Sequence, residues 1–176
     1  MNYLLTGPPR CGKTTIIKDI IQKLGKSAGG FYTEEIRTKG KRVGFKLKTL
    51  SGKEATFSHV DFKNRYRVGK YGVDLDILDQ IGSKEIELSL GQDKIIVIDE
   101  IGKMELFSDI FKDLVWKALD SKNPVIGTIM FTRHSFSDQV KKRKDVKIVD
   151  VSEKYKAQVI DSIIEELNEL GDNVKF

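Results

Sequence analysis

The sequence predicts an α/β fold, in which a mostly parallel sheet is flanked by helices and carries an inserted antiparallel β meander. Three observations support this class. Short aliphatic runs alternate with amphipathic helical patterns, the first run ends at a turn that opens a helix, and glycine-separated β-prone segments follow that helix. The 176 residues suffice for one core, so we expect a single domain over residues 1–176.

The first strand and the first helix are predicted from their hydrophobic pattern. Residues 3–6 form an apolar run that ends at Gly7, which is typical of a buried parallel strand. Isoleucines then recur at helical spacing over residues 12–24, and Gly25 follows the last turn, where helices commonly end.

The next part of the chain has a different residue pattern. Glycine-containing turns separate its β-prone segments, which lie at 31–33, 43–47 and 55–57. We therefore expect an antiparallel meander over about residues 29–59. We expect residues 61–73 to be irregular, because glycines and tyrosines break their pattern, and residues 74–90 to form a helix.

The second half of the chain alternates strands with helices again. Strands are expected at 95–98, 124–129 and 146–151, and helices at 106–119, 136–143 and 155–170. Ligands of such parallel sheets bind at the carboxyl ends of the strands. Residues that directly follow a predicted strand are therefore the first candidates for a functional site.

The turn after the first strand carries the strongest signal. It matches the phosphate-loop pattern at every defined position, over Gly7, Pro8, Pro9, Arg10, Cys11, Gly12, Lys13 and Thr14. Its glycines let backbone N–H groups point at a diphosphate, and the helix N-terminus adds its positive end. Lys13 reaches the β- and γ-phosphates, and the Thr14 hydroxyl offers a ligand to Mg²⁺. The sequence thus predicts a P-loop NTPase fold that binds nucleotide here and at the adjoining Thr15.

Two acidic residues follow the second buried strand. Asp99 ends an aliphatic run, where P-loop proteins need a carboxylate as a second magnesium ligand. We therefore predict Thr14 and Asp99 as the metal ligands. Glu100 suits a general base or a group that positions water, which hydrolysis requires. Its alternative role is that of a surface carboxylate or a helix cap.

Two cations are further catalytic candidates beside Lys13 and Glu100. Lys103 lies on the loop that leaves the acidic strand and is placed to add positive charge near the γ-phosphate, although pairing with Glu105 is equally compatible with the sequence. Arg133 follows the strand at 124–129 and is placed to sense the γ-phosphate, or to be a solvated arginine. Glu35 and Arg37 are weaker candidates for facing the nucleotide or water.

The bulk composition constrains the compartment and the partners. Cys11 is the single cysteine, so an internal disulfide is excluded and a reducing compartment is expected, by default the cytoplasm. No apolar run is long enough to span a bilayer, and the first residues do not resemble a signal peptide. His59 and His134 lack the neighbours that a metal site needs. We expect a monomer.

Several segments together resemble the thermostable nucleoside-triphosphatase family. They are the early phosphate loop, residues 30–37, the pair at 44–45, residues 68–73 and residues 97–106, of which the last is the most specific. The resemblance implies hydrolysis of ATP, GTP, CTP, UTP and TTP with broad base tolerance. It also implies nucleotide binding on residues 7–14 and on Ile96, Val97, Ile98, Asp99, Glu100, Ile101, Gly102 and Lys103.

The sequence departs from the family pattern at one point in the phosphate loop. A glycine is expected after the proline of the phosphate loop, whereas this chain has Pro9 and then Arg10. The required glycines remain intact, but the change stiffens the loop or adds a charge at its mouth. No Asn-Lys-x-Asp motif that reads the base occurs near residues 152–156, which agrees with low base selectivity.

Two other functions remain open from sequence. A small nucleotide or nucleoside kinase needs an acceptor pocket and an arginine-rich lid, and the candidate lid at 61–71 offers only Arg65 and Arg67. A nucleic-acid-stimulated ATPase would use the net charge of +5 and the basic run at 141–144. We expect that run to be a solvated helix end, because no aromatic platform accompanies it.

Overall fold

Residues 1–151 and 156–172 are described by the computed structural model, and their strands form one continuous nine-stranded sheet. The strands are β1 (Asn2–Thr6), β2 (Ala28–Thr38), β3 (Lys41–Thr49), β4 (Glu54–His59), β5 (Tyr66–Val68), β6 (Tyr71–Val73), β7 (Ile95–Ile101), β8 (Val125–Ile129) and β9 (Val146–Asp150). The helices are α1 (Lys13–Leu24), α2 (Leu75–Ile77), α3 (Lys84–Leu90), α4 (Asp109–Asp120), α5 (Ser135–Lys141) and α6 (Lys156–Asp172).

The strand order across the sheet is β5-β6-β4-β3-β2-β7-β8-β1-β9. From β2 to β9 neighbouring strands are parallel, and from β2 to β5 they are antiparallel. We call these two parts the parallel half and the antiparallel half. The carboxyl ends of the parallel strands therefore meet at one edge, as the α/β prediction requires.

Helices cover both faces of the parallel half. In β1, Leu4 belongs to one apolar cluster, while Tyr3 and Leu5 belong to another, because successive strand residues point to opposite faces. The first cluster is completed by apolar residues of α3, α4 and α5, and the second by those of α1 and α6. The α/β class predicted from the sequence is confirmed.

The antiparallel half differs from its prediction. The meander expected at 29–59 is present as β2, β3 and β4, but β2 also pairs in parallel with β7 over its first residues. The meander is thus an extension of the main sheet. The prediction that residues 61–73 are irregular is wrong, because β5 and β6 pair there and extend the sheet by two strands. Two three-residue strands are too short to show a periodicity.

Smaller differences concern two helices. Residues 75–90 are helical as predicted, but Leu78–Ser83, which contains Gly82, forms a π-helical segment between α2 and α3. The helix expected at 106–119 is divided, because Ser108 caps α4 by accepting a hydrogen bond from the Phe111 N–H at 3.0 Å, after a 3₁₀ turn at Glu105–Phe107. Residues 152–155, where the last predicted helix begins, lie outside the described residues.

Candidate active site

The phosphate loop joins β1 to α1 at the carboxyl edge of the sheet. Gly7 and Gly12 have φ angles of 152° and 95°, which favour glycine. A Cβ on Gly7 would lie 2.8 Å from Cys11 Sγ and 3.3 Å from the Val151 carbonyl oxygen, so the backbone there passes through a space that a side chain would fill. The loop is therefore a cradle of main-chain groups, as the motif predicts.

Arg10 shows what the sequence departure does to this loop. Its φ is 67°, which places a non-glycine residue in the left-handed region, and its side chain is exposed. The backbone at this position thus has the conformation for which a glycine was expected. The arginine keeps that conformation and places its positive charge on the exposed loop.

Lys13 folds back over the loop. Its Nζ donates hydrogen bonds to the carbonyl oxygens of Gly7 at 3.0 Å and Pro8 at 3.2 Å. Both partners are loop carbonyls, so the ammonium group stays beside the cradle in which phosphates would sit. A short side-chain rotation is enough to exchange these carbonyls for phosphate oxygens.

Asp99 lies on β7 and is fully buried, with 1% of its surface exposed. Thr128 Oγ1 donates a hydrogen bond to Asp99 Oδ1 at 2.6 Å. Burial raises the pKa of Asp99, whereas hydrogen bonds from Thr128, Thr14 and the Thr33 backbone and the charge of Lys13 lower it. Oδ2 is buried and has no hydrogen-bond partner of normal geometry. A buried carboxylate oxygen left open in this way fits a cation.

Glu100 reaches the same site because β7 is irregular. The pairing of β7 with β8 passes from Ile98↔Gly127 to Ile101↔Ile129, which leaves one extra residue in β7. Consecutive strand residues normally point to opposite faces, and a bulge removes that alternation. Asp99 and Glu100 can therefore both serve the site at this edge.

Two buried acids, Asp99 and Glu105, and the half-buried Glu100 cluster at the end of β7. Burial, and then the charge of Asp99, raise the pKa of Glu100, while Lys13 lowers it. Burial raises the pKa of Glu105 well above its ordinary range, and the charge of Glu100 adds to that effect. A Cβ on Gly102 would lie 3.0 Å from Glu105 Oε2 and 3.1 Å from Glu100 Cδ, so the two carboxyl groups flank this glycine.

A cavity of about 340 Å³ opens beside the phosphate loop. Its floor is formed by Gly7, Pro9 and Lys13, and one side by Glu100, Gly102, Lys103, Met104 and Glu105. Met130, Phe131 and Thr132, which follow β8, form a second side. The far wall comes from the antiparallel half, through Arg42, Phe45, Phe57 and Val68. The two halves of the sheet thus enclose one space.

The structure brings most of the predicted site residues to this edge. Lys13, Glu100 and Lys103 line the cavity, and Thr14 approaches Asp99 behind it. Of the segment implied by the resemblance, Ile96, Val97, Ile98 and Ile101 are fully buried core residues with no exposed surface. These four residues support the site from within the sheet.

Three candidates lie elsewhere. The side chain of Arg133 is 97% exposed and lies 3.9 Å from Asp138, and it does not line the cavity. Glu35 is paired with Arg37 at 2.5 Å and with Arg42 at 2.8 Å. In this structure neither Glu35 nor Arg37 is a free group beside the phosphate loop.

Sequence reasoning missed several residues of the cavity. Glu105 belongs to the most specific segment of the resemblance, but its spacing gave no sign that it is buried beside Glu100. The far-wall residues Phe45, Phe57 and Val68 lie 31 or more positions from the phosphate loop in sequence. Only the pairing of the antiparallel strands brings them to the site.

The basic run at residues 141–144 forms more hydrogen bonds and ion pairs with the fold than predicted. Lys141 Nζ donates a hydrogen bond to the Met130 carbonyl oxygen at 2.7 Å. Arg143 pairs with Asp120 at 2.8 Å and Asp145 at 2.7 Å. The prediction of a solvated helix end is therefore wrong for these two side chains, because Lys141 is bound to a backbone carbonyl and the charge of Arg143 is balanced by two carboxylates.

The two histidines have structural roles among the described residues. His59 Nδ1 lies 3.3 Å from Asp61 Oδ2, and His134 caps α5 by accepting a hydrogen bond from the Phe136 N–H at 3.2 Å. Within residues 1–151 and 156–172, no group of three histidine, cysteine, aspartate or glutamate side chains has the arrangement of a metal centre. No helix in that part of the chain is long and apolar enough to cross a membrane.

A parallel sheet with a phosphate loop after its first strand, faced by acids at the end of the next strand but one, defines the class of P-loop NTPase folds. Comparison with known proteins identifies the family within that class. Residues 2–164 match the sequence model of a family described as NTPase. The chain belongs to this NTPase family.

Its relatives match over nearly the whole chain. A nucleoside-triphosphatase THEP1 from Thermotoga sp. is 44% identical over 164 residues, covering 93% of this chain and 94% of the relative. The human cancer-related nucleoside-triphosphatase is 37% identical over 179 residues, with coverage of 93% and 94%. The crystal structure of THEP1 from Aquifex aeolicus superposes with a TM-score of 0.85 at 34% identity, covering 93% of this chain and 96% of that one.

Proposed function

We propose that this protein hydrolyses nucleoside 5′-triphosphates to diphosphate and phosphate, with Mg²⁺ as its cofactor and with broad tolerance of the base. The observation that carries the proposal is the meeting of Lys13, Asp99 and Glu100 at one edge of the sheet, where burial raises the pKa of both acids and the charge of Lys13 opposes that rise. The names of the relatives support the same activity.

Triphosphate binding is assigned to the phosphate loop. Backbone N–H groups between Gly7 and Thr14 would surround the β-phosphate, and the N-terminus of α1 adds the positive end of its dipole. Lys13 would leave the Gly7 and Pro8 carbonyl oxygens and pair with β- and γ-phosphate oxygens. Lys103, exposed at the rim of the cavity, is placed to neutralise charge that develops on the γ-phosphate.

The magnesium site is assigned to Thr14 and Asp99. The Thr14 hydroxyl lies near the Asp99 carboxylate, and Asp99 Oδ2 lacks a hydrogen-bond partner of normal geometry. Oxygen donors of this type are what Mg²⁺ prefers, usually with several waters retained. Mg²⁺ bound there would supply positive charge to the β- and γ-phosphate oxygens.

We assign to Glu100 the role of accepting a proton from the attacking water. Its carboxylate lines the cavity on the side where the γ-phosphate of a bound nucleotide would face. The water oxygen forms a new bond to the γ-phosphorus as the bond to the β–γ bridging oxygen breaks, and the water proton passes to Glu100. A raised pKa makes this carboxylate a stronger base at neutral pH than an exposed glutamate.

Broad base tolerance is supported by the kind of groups that would bind the nucleotide. Every group assigned above contacts phosphate, metal or water, which all nucleoside triphosphates share. The chain also lacks the Asn-Lys-x-Asp motif that reads guanine. Residues 152–155, which follow the last strand and were expected near the base, lie outside the described residues. We also propose a cytoplasmic monomer, as the sequence led us to expect.

The test is phosphate release without an added acceptor. Purified protein is incubated with Mg²⁺ and each of ATP, GTP, CTP, UTP and TTP, and diphosphate and phosphate are both quantified. We expect equal amounts of the two products, rates within about tenfold for the five nucleotides, and loss of turnover when EDTA is added. Phosphate release that needs an added acceptor would contradict the hydrolase assignment, and one favoured nucleotide would contradict only the base tolerance.

A further inference from the structure

The cavity has room for more than the attacking water. One water takes up about 30 Å³ in the liquid, whereas the cavity encloses about 340 Å³, within the usual range of small-molecule sites. Lys13 and Glu100 lie at its phosphate end. The lining residues Arg42, Phe45, Phe57 and Val68 show that the cavity also reaches the antiparallel half.

The far wall suits an organic molecule better than water. Phe45 is half-buried and supplies most of the aromatic surface of this wall, whereas Phe57, at 1% exposed, contributes only an edge. Met130, at 5% exposed, contributes a similar edge from the side that follows β8. The Phe45 ring is held edge-on against Tyr71, with ring centroids 5.6 Å apart. Apolar walls hold water weakly, whereas phenylalanine and methionine side chains make favourable contacts with an aromatic ring.

One buried polar group remains available within this space. Glu105 is 6% exposed and lines the cavity, and its hydrogen-bond partners are the backbone N–H groups of Gly102 and of Glu105 itself, while no described side chain forms a hydrogen bond or ion pair with it. Its carboxyl group can accept a hydrogen bond from a hydroxyl, and when protonated it can also donate one. An alcohol is thus the functional group that this position fits.

The cations of the cavity leave no free partner for a second charged molecule, because the proposed function assigns Lys13 and Lys103 to the triphosphate and Arg42 is already paired. Arg42 is the arginine that lines it among the described residues. Its guanidinium donates to Glu35 Oε1 at 2.8 Å and to the Tyr71 hydroxyl at 3.0 Å. No guanidinium is therefore free to bind a phosphate on a second molecule. The occupant that fits is uncharged.

We propose that this cavity binds a second substrate, an uncharged aromatic alcohol of nucleoside size, which accepts the γ-phosphoryl group in competition with water. The inference rests on the proposed function, because it uses the same Lys13 and Glu100. The alcohol oxygen forms a bond to the γ-phosphorus, the bond to the β–γ bridging oxygen breaks, and the diphosphate leaves with that oxygen. The hydroxyl proton passes to Glu100, as the water proton does in hydrolysis.

The first test measures transfer directly. The protein is incubated with Mg²⁺, ATP and, separately, adenosine, guanosine, cytidine, uridine, thymidine or pyridoxine, and ADP, phosphate and phosphorylated alcohol are quantified. We expect at least one alcohol to give ADP in excess of phosphate by the amount of its monophosphate. If ADP and phosphate stay equimolar with all six, the inference is overturned while hydrolysis stands; if no ADP forms at all, the proposed function itself fails.

The second test asks whether the two substrates bind together. Each alcohol is titrated calorimetrically into the protein alone and into protein saturated with Mg²⁺ and β,γ-methylene-ATP. We expect saturable binding of an accepted alcohol in both cases. Binding that disappears in the presence of the analogue would mean that the cavity holds the base of the triphosphate, and this outcome would overturn the inference.

Two variants connect the transfer to the far wall. Val68→Trp fills the cavity from the antiparallel half, so the ratio of transfer to hydrolysis in the same sample should fall at least about tenfold. Leu88→Trp, at a 47% exposed position on α3, adds the same side chain outside the cavity and should leave that ratio unchanged. Should Val68→Trp not fold, Phe45→Ala is expected to raise the KM for the alcohol about tenfold. An unchanged ratio in Val68→Trp, or an unchanged KM in Phe45→Ala, contradicts the inference.

Discussion

The parallel and antiparallel halves of the sheet contribute different things to one cavity. The parallel half supplies the phosphate loop and the acids of β7, groups that act on phosphate whatever is attached to it. The antiparallel half supplies phenylalanines, a valine and a paired arginine, and none of these side chains is assigned a role in bond making or proton transfer. The two proposals above accordingly assign the reaction to the first half and the choice of nucleophile to the second. The predictions below test this division.

The largest effect is expected at Lys13. Lys13→Ala removes the ammonium group that would pair with the β- and γ-phosphates, so turnover should fall about a thousandfold or more and triphosphate binding should weaken. Steady-state kinetics and calorimetry with Mg-ATP measure the two effects. Lys23→Ala is the matched control, because Lys23 lies on the same helix as Lys13. This variant loses only an exposed ion pair with Asp161 of α6 and should keep its activity.

Glu100→Gln should lower kcat by about a hundredfold or more, or about 3 kcal/mol of barrier, while triphosphate affinity stays close to that of the native protein. The amide keeps the shape of the side chain but cannot accept the water proton. Rapid-quench kinetics separate the chemical step from binding. Normal turnover in this variant would move the base to another residue and would weaken the assignment of chemistry to the parallel half.

Gly30 lies in β2 where the two halves join, and it tests how rigid that junction is. Its φ is 109°, and a Cβ would lie 2.1 Å from the Val97 carbonyl oxygen. Gly30→Ala should therefore lower the free energy of unfolding by about 3 kcal/mol. Gly52→Ala has a φ of 95° but open space around it, so only about 1 kcal/mol is expected. Equal losses in urea denaturation would mean that the junction tolerates a side chain.

The smallest effect concerns Glu105 and pH. Because its folded-state pKa is raised well above the ordinary 4.5, the unfolded chain loses this proton first as the pH rises. The contribution of Glu105 to stability is thus fully present below about pH 4.5 and is lost as the pH rises toward the folded-state pKa. Glu105→Gln should show a smaller loss of unfolding free energy between pH 5 and pH 8 than the native protein. A parallel decline in both proteins would show that Glu105 is ionised in the fold.

The sequence predicted the two halves unequally well. Local signals were sufficient for the phosphate loop and for the strand that ends at Asp99, because each depends on adjacent residues and a strict spacing. The bulge that lets Asp99 and Glu100 serve one site depends on the partner strand β8 and leaves no mark in β7 alone. The burial of Glu105 likewise depends on how the turn after β7 packs.

The antiparallel half was harder for a related reason. Its three-residue strands β5 and β6 are stabilised by pairing with β4 and each other, so their sequences resemble loops. Arg42 and Phe45 line the same cavity although they are three positions apart, because the pairing of β2 with β3 passes from Ile36↔Gly44 to Arg37↔Arg42 and leaves Val43 extra. The far wall could therefore not be derived from strand periodicity.

The most direct test of the account follows the oxygen of water. Hydrolysis of Mg-ATP is run in water enriched in ¹⁸O, and the products are analysed by mass spectrometry. Attack of water on the γ-phosphorus beside Glu100 predicts one ¹⁸O atom in each inorganic phosphate and none in ADP. Label in ADP, or release of AMP and labelled diphosphate, would contradict the placement of the γ-phosphate and its water in this cavity.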